Sequence, residues 1–405
     1  MGRGQGVPAP AQAEGAFLRQ VPVPRRPAAQ IQRGKILMKK ELILGLMSGT
    51  SADGLSIALC EAGGGGLEVK AFGNYPYPAA LQVRIIAAKD MAAPELSALN
   101  FELGRLWAGM VKSFCRKHRV PYKKIAVIGS HGQTVWHAPG KKGHTLQIGE
   151  ASFIAEETGR PVACDFRPAD MAAGGEGAPL IPFMDEYLFG GGRPVGLQNI
   201  GGVGNIAFAG KGVKTFGFDT GPGNSLMDTA VCEISGGRLA YDKGGAWAAS
   251  GEADLGKVDQ LLDAPFFSRR PPKSLDRSEY TLAFIKKHFP GQLNKKCAGN
   301  LLATLNLFTA ASIALAFRNF APRGAKELIV SGGGALNPAL MDNIAALLLP
   351  AGVRVRSIAE LGIHPLAKEP ACFALLGWLA LRGRVNHCPA ATGARGSRVL
   401  GKLLR

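Results

Sequence analysis

A carboxylate set among glycines is the first feature of this chain that could do chemistry. Val195 to Asp228 reads VGLQNIGGVGNIAFAGKGVKTFGFDTGPGNSLMD, with Asp219 in its second half. Asn199 to Asn205 lies between apolar runs of strand length, Val195 to Ile200 and Ile206 to Ala209, a pattern that predicts a tight turn joining two strands. Glycines there let the backbone come close to an anion and point N–H groups at it. Gly217 to Asn224 follows another strand-like run and is predicted to be a second turn, with a helix starting at Ser225. Asp219 then stands at the mouth of a cleft. There it either takes a proton from a reacting group or bonds its own backbone, as turn-forming aspartates do.

Three further stretches carry similar residue types. Ser48-Gly49-Thr50-Ser51-Ala52-Asp53-Gly54 joins the strand patterns Glu41 to Met47 and Leu55 to Cys60, a hairpin whose tip is either a phosphate cradle or an ordinary polar turn. The apolar run Ile125 to Ile128 ends in Gly129-Ser130-His131-Gly132-Gln133-Thr134, and Glu327 to Val330 ends in Ser331-Gly332-Gly333-Gly334-Ala335-Leu336-Asn337. Polar groups just past the carboxyl end of a buried strand are where open α/β sheets place their ligands. His131, His137 and His144 match no zinc spacing and lack acidic or thiol partners, which favours hydrogen bonding to sugar or phosphate over metal ligation. Asp170 to Pro179, rich in small residues, suits a crossing between domains that lines a cleft; as a plain linker it would leave Arg167 and Asp170 to pair with each other.

The elements that must position these groups follow a duplicated order. Each half opens with a strand-turn-strand hairpin (GLMSGTSADGLS; LQNIGGVGNIAF), continues through helical spacing, as in Leu81, Ile85, Leu99 and Leu103, and reaches a buried strand ending in glycine. Two such halves face one another across a cleft, with a hairpin from each side on the triphosphate and SGGGALN against the nucleoside. GGVGN is not a complete GxGxxG and lacks the strand-to-helix setting of a dinucleotide fold, and GxxxxGK[ST] is absent.

Composition narrows the class. With 405 residues, 46% apolar and 19% charged, the chain reads as a globular protein of two domains. No uninterrupted apolar run approaches the ~20 residues of a membrane helix, and no secretory signal is evident. The seven cysteines are scattered, odd in number and never in CxxC, which points to reduced thiols in a cytoplasm. The net charge of +18 would raise nucleic-acid binding, but residues 1–40 hold eight Lys/Arg against one acid and the remainder is dispersed without a basic aromatic run. Residues 1–38 lack periodicity and are predicted to be disordered, with Met38 a credible alternative start.

Taken in order, GLMSGTSADG, IGSHGQT, LQIGE, CDFRPADMAAGGEGAPLIP, NIGGVGNIA, GFDTGPGN, YDKGGAWAASG and SGGGALNP resemble the anhydro-N-acetylmuramic acid kinase family, of the sugar kinase/Hsp70/actin superfamily. The resemblance runs from about Leu42 to beyond Thr392. It implies a two-domain actin-like ATPase fold of α/β class, divided here at 39–172 and 173–405, closing on ATP and Mg²⁺. It also implies the reaction: hydrolytic opening of a 1,6-anhydro amino sugar with phosphoryl transfer to O6, in cell-wall sugar recycling. Asp219 is then the base that activates water. Gly49, Thr50, Ser51, Ala52, Asp53, Gly54, Leu55 and Ser56 match the ATP hairpin, Gly201, Gly202 and Asn205 the opposing one, and Gly332, Gly333 and Gly334 the nucleoside turn. Gln133, Arg167, Asp170 and Glu369 are the expected sugar contacts.

Three residues depart from the family pattern. Ala52 and Ser56 stand where Leu and Asp are usual, and Glu176 where Gln is usual. If the usual Asp organises magnesium water, Ser56 leaves more of that to Asp53. An actin-like sugar kinase without ring hydrolysis and a non-catalytic nucleotide-gated module are the competing readings. The expected partner is a small amino sugar, with no nucleic acid and no membrane, and a homodimer is left open.

Overall fold

The computed structural model describes residues 39–140 and 142–405. The stretch 1–38 expected to be disordered, with the alternative start at Met38, and Lys141 lie outside them.

Two sheets repeat one plan. In the first, β1 (Glu41–Ser48), β2 (Gly54–Gly63) and β3 (Gly66–Pro76) form an antiparallel meander, and β4 (Ile125–Ala138) and then β6 (Val162–Cys164) join in parallel on the other side of β1. β5 (His144–Ile148) pairs with the outer part of β4. In the second, β7 (Val195–Ile200), β8 (Val203–Ala209) and β9 (Phe216–Pro222) form the meander, and β10 (Glu327–Ser331) and β11 (Arg354–Ser357) add in parallel beside β7. This doubled order is the two-domain actin-like plan, and the parallel β7–β10 pair brings Ser331 opposite Asn199 at the hairpin end.

Alternation along the strands sets the layers. Leu44, Leu46 and Ile128 enter a core with Trp107 and Phe114 of the Ala93–Lys117 helix, on the outer face of the first sheet. Ile43 and Val127 point the other way, into a core shared with helices Ile181–Phe189 and Lys368–Leu381 and with Leu197 and Ile329 of the second sheet. Helices Ser225–Ser235, Ala298–Phe320 and Pro338–Leu348 cover the far face of the second sheet. The Ala298–Phe320 helix is long and apolar enough to cross a membrane; here it is the buried spine of this core.

An uninterrupted second domain over 173–405 does not describe the sheets. The Lys368–Leu381 helix packs on β1, β2 and β4, and β12 (Lys402–Leu404) pairs antiparallel with β6, so the chain end returns to the first sheet. The reason is that Pro370 to Ala380 are all buried, and a helix apolar on every side needs cover on every side, which the gap between the sheets supplies. Gly45 and Gly129 permit the close approach: a β-carbon at either would run into the Pro370 or Phe373 carbonyl.

Candidate functional site

The first hairpin tip is fastened by buried side chains. Ser48 Oγ donates to Gln133 Oε1 at 2.6 Å and lies 2.9 Å from the Tyr77 hydroxyl, which also receives the Trp107 Nε1–H at 2.8 Å. Gln133 Nε2 donates to the Gly49 carbonyl at 3.1 Å. Burial pushes the Tyr77 hydroxyl up to about 12, against its hydrogen bonds, so it stays neutral. Gln133, expected at the sugar, is thus buried and bonded into the hairpin. The reason is that β4 does not stop at Ile128 but runs on to Ala138, carrying Gln133 opposite Ser48. Within the expected ATP hairpin, Thr50, Ser51 and Asp53 are exposed and Gly49 half-buried, while Ala52, Gly54 and Leu55 are buried. Ala52 takes the left-handed conformation, φ 50°, its N–H bonding the Gly49 carbonyl. Ser56 Oγ donates to Asn74 Oδ1.

The second hairpin is fastened through backbone. The carbonyls of Gly201 and Gly202 accept the N–H groups of Asn224 and Gly223 at 2.7 and 2.9 Å, docking the tip on the start of the Ser225–Ser235 helix. A β-carbon at Gly201 or Gly202 would meet nothing closer than 3.8 Å, and at Gly49 likewise 3.8 Å, so all three present bare backbone with room for a ligand. Gly332, at φ +83°, packs where a β-carbon would strike the Ile200 carbonyl and Asn199 Oδ1, and its N–H bonds the Pro365 carbonyl. The Pro365–Ala367 turn in turn packs on β2, so the glycine turn, the second hairpin and the first sheet meet there. Asn337 Oδ1 caps the following helix by accepting Leu340 N–H.

Asp219 sits on a strand rather than in the expected turn. β9 continues to Pro222 because Gly217 and Gly221 serve close approach, to the Ile206 carbonyl and to Phe267 and Ser312. Half-buried, Asp219 pairs in register with exposed Asn205 on β8. Its N–H donates to the Lys273 carbonyl at 3.1 Å, and its Oδ2 accepts the Leu275 N–H at 2.9 Å. Nothing in the sequence patterning had marked 273–275, where the only signal is a lysine after Pro271-Pro272 close to Phe266 and Phe267. Farther along, burial and then Asp242 push Asp228 up to about 7.

The four expected sugar contacts separate. Arg167 donates through Nε to His131 Nε2 at 3.1 Å and through Nη1 to the Gly177 carbonyl at 2.8 Å; His131 Nδ1 faces the Gly132 carbonyl, so His131 is neutral with its proton on Nδ1. Burial and Arg167 hold His131 well below its ordinary value, and burial lowers Arg167 to about 10. Asp170 is fully buried: Gly177 N–H bonds Oδ2, and His387 Nδ1 and Thr392 Oγ1 donate to Oδ1, at 2.7 to 2.8 Å. Burial pulls its carboxyl up, but these bonds outweigh it and hold it below the usual value. Arg167 and Asp170 therefore do not pair with each other; they grip the crossing at Gly177, one by its carbonyl and one by its N–H. Asp170, expected at the sugar, is here engaged on both carboxylate oxygens inside the protein. Glu369 is half-buried and among the described residues has no hydrogen-bond partner. Burial pushes its carboxyl up, Lys368 and Arg167 pull it down, and Asp53 of the first tip pushes it up. Arg167 feels both Glu369 and Asp170, each of which holds its guanidinium up against burial. The three histidines have separate partners, His137 with Thr145 and His144 with Trp136.

A sequence model of the family described as anhydro-N-acetylmuramic acid kinase matches residues 41–405. The protein so named from Variovorax paradoxus (strain S110) is 39% identical over 378 residues, 90% of this chain and 99% of the relative. That from Caldanaerobacter subterraneus subsp. tengcongensis is 36% identical over 396 residues, 91% of this chain and 98% of the relative. Among solved structures, a ROK family glucokinase from Streptomyces griseus in complex with glucose and AMPPNP is 12% identical with a TM-score of 0.36, covering 83% of this chain and 99% of that one.

Proposed function

The chain belongs to the anhydro-N-acetylmuramic acid kinase family, and on that premise we propose that it opens the 1,6-anhydro ring of 1,6-anhydro-N-acetylmuramic acid with water and phosphorylates O6, giving N-acetylmuramic acid 6-phosphate. The observation that carries this reading is Asp219, a half-buried carboxylate fixed by the Leu275 N–H and set one strand away from the bare Gly201-Gly202 tip. Asp219 takes a proton from water, whose oxygen bonds the anomeric carbon as the C1–O6 bond breaks. The freed O6 bonds the γ-phosphorus as the bond to the ADP oxygen breaks. Sugar, ATP and water thus give the 6-phosphate, ADP and one proton, which Asp219 passes to solvent.

Gly49, Thr50, Ser51 and Asp53 on one side and Gly201, Gly202 and Asn205 on the other receive the phosphates, and Gly332 to Gly334 the nucleoside. The uncrowded backbone at Gly49, Gly201 and Gly202 supports an anion coming close to it. Asp53, exposed at the first tip, is the carboxylate that would help hold Mg²⁺ brought in with the nucleotide. Bound there, Mg²⁺ would supply charge neutralisation on the phosphates. Arg167 and Glu369 orient the sugar. We place the reaction in the cytoplasm, where the seven free thiols stay reduced, in the recycling of cell-wall amino sugars.

Asp219→Asn tests the reading: nucleotide affinity should stay within about two-fold while turnover falls at least ~100-fold, the scale of a lost general base. Unchanged turnover would remove Asp219 from the chemistry.

A further inference from the structure

Lys273 is a buried cation, 5% exposed, with no carboxylate paired to it among the described residues. Its Nζ donates to the Phe266 and Phe267 carbonyls at 3.0 and 3.3 Å. It also lies over three phenyl rings, 4.6 Å from the centre of Phe266 and 5.6 Å from those of Phe218 and Phe320. Phe218 and Phe320 meet edge to face, so the cage joins β9, the short Pro265–Ser268 helix and the end of the Ala298–Phe320 helix. A desolvated ammonium without a counter-ion is costly, and ring faces and carbonyls are the groups that can offset that cost.

The same residue is one end of the clamp on Asp219. Its own carbonyl accepts the Asp219 N–H, and two residues on, Leu275 N–H reaches the carboxylate. The Lys273–Leu275 segment therefore runs beside β9 at the level of Asp219, and the caged side chain and the Arg269 bond to the Ser274 carbonyl tie it down from the other side. We propose that Lys273 is a positioning residue for Asp219: its caged ammonium fixes the segment whose Leu275 N–H sets the orientation of the carboxylate. This rests on the reading of Asp219 as the base.

A pH signature follows. Burial, and then the Arg269 guanidinium, lower Lys273 to about 8. Arg269 lies over the Phe266 ring and donates to the Ser274 carbonyl, and among the described residues the ammonium otherwise faces the three rings and two carbonyls already named. The folded value lies below the ordinary lysine range, so between the two the unfolded chain binds more protons, and both the hold on the segment and this group's contribution to stability rise with pH.

The test is steady-state kinetics of the full chain with ATP and the anhydro sugar, for the parent, Lys273→Met, Lys273→Arg, Asp219→Asn and the double variant Lys273→Met/Asp219→Asn. Lys273→Met should lower kcat about ten-fold with KM for ATP within about two-fold, the scale of a displaced catalytic group. Lys273→Arg, which keeps the cation on a long stem, should keep kcat within about three-fold. In the Asp219→Asn background Lys273→Met should cost nothing more, since it acts through the missing carboxylate. Parental kcat in Lys273→Met, or a further ten-fold loss in the double variant, would overturn the proposal. Full turnover in Asp219→Asn alone would instead overturn the base assignment. Should Lys273→Met fail to fold, Phe266→Leu, which opens the cage and leaves the lysine in place, decides: a several-fold fall in kcat with KM for ATP unchanged supports the proposal, and parental kcat overturns it.

Discussion

Ser56 and Asn74 occupy the same places in the first half that Asn205 and Asp219 occupy in the second. Each pair lies on the second and third strands of its meander, two residues into the second strand, and the partners are in register. In the first half the pair is neutral, Ser56 bonding Asn74. In the second it includes the carboxylate, which a neighbouring segment holds through Leu275 N–H. The fastenings differ as well: side chains of Ser48, Tyr77, Trp107 and Gln133 brace the first tip, and the backbone of Gly223 and Asn224 braces the second. One scaffold used twice thus carries a glycine tip on both sides and a clamped carboxylate on one side only.

The comparison can be broken from either half. Gln133→Ala removes the first tip's brace and leaves Ser48 and the Gly49 carbonyl without their partner. We expect a loss of about 2 kcal/mol in urea unfolding, the cost of buried groups left unbonded, with KM for ATP raised about ten-fold and kcat little changed. An unchanged KM would mean the brace does not shape the nucleotide site. Asp228→Asn addresses the charge carried by the second half. Because the folded carboxyl lies above its ordinary value, the folded chain binds more protons between about 4 and 7, so stability falls as pH rises through that window. The variant should flatten that fall and be more stable at pH 8 by on the order of 1 kcal/mol in thermal unfolding; an unaltered pH profile would count against a shifted Asp228. Gly202→Ala puts a methyl into open space on the second tip. Stability should stay within about 0.5 kcal/mol while KM for ATP rises a few-fold, and a large stability loss would show the space to be occupied. Asn74→Asp, the reciprocal change, should alter turnover less than about two-fold, since a carboxylate there has no clamp like that at Asp219; a large change in rate would mean that both halves take part in the proton transfer.

Much of the site's frame was legible in the residues. Alternation and glycine placement located β1, β2, β7, β8 and β10, the Gly201-Gly202 tip and the start of the Ser225–Ser235 helix, because those features are set by neighbours along the chain. Destinations set by tertiary packing were not. The uniform burial of Pro370 to Ala380 announces a core helix without saying which sheet it covers. Gln133, Arg167, Asp170 and Glu369 are alike as polar residues in motifs, and only β4's extension and the crossing at Gly177 turn two of them inward. Gly217 and Gly221 suggest a turn by type, yet serve a strand pressed against Ile206 and Phe267. The cage around Lys273 draws on rings from residues 218, 266 and 320, a grouping that no local pattern reveals.

The central claim is that water activated by Asp219 opens the sugar ring before O6 takes the phosphoryl group. Turnover of the anhydro sugar with ATP and Mg²⁺ in ¹⁸O water, quenched before the free anomeric hydroxyl exchanges, tests it most directly. The expected result is one ¹⁸O at the anomeric carbon of the 6-phosphate and none in the phosphate; a phosphorylated sugar without label at that carbon would contradict it.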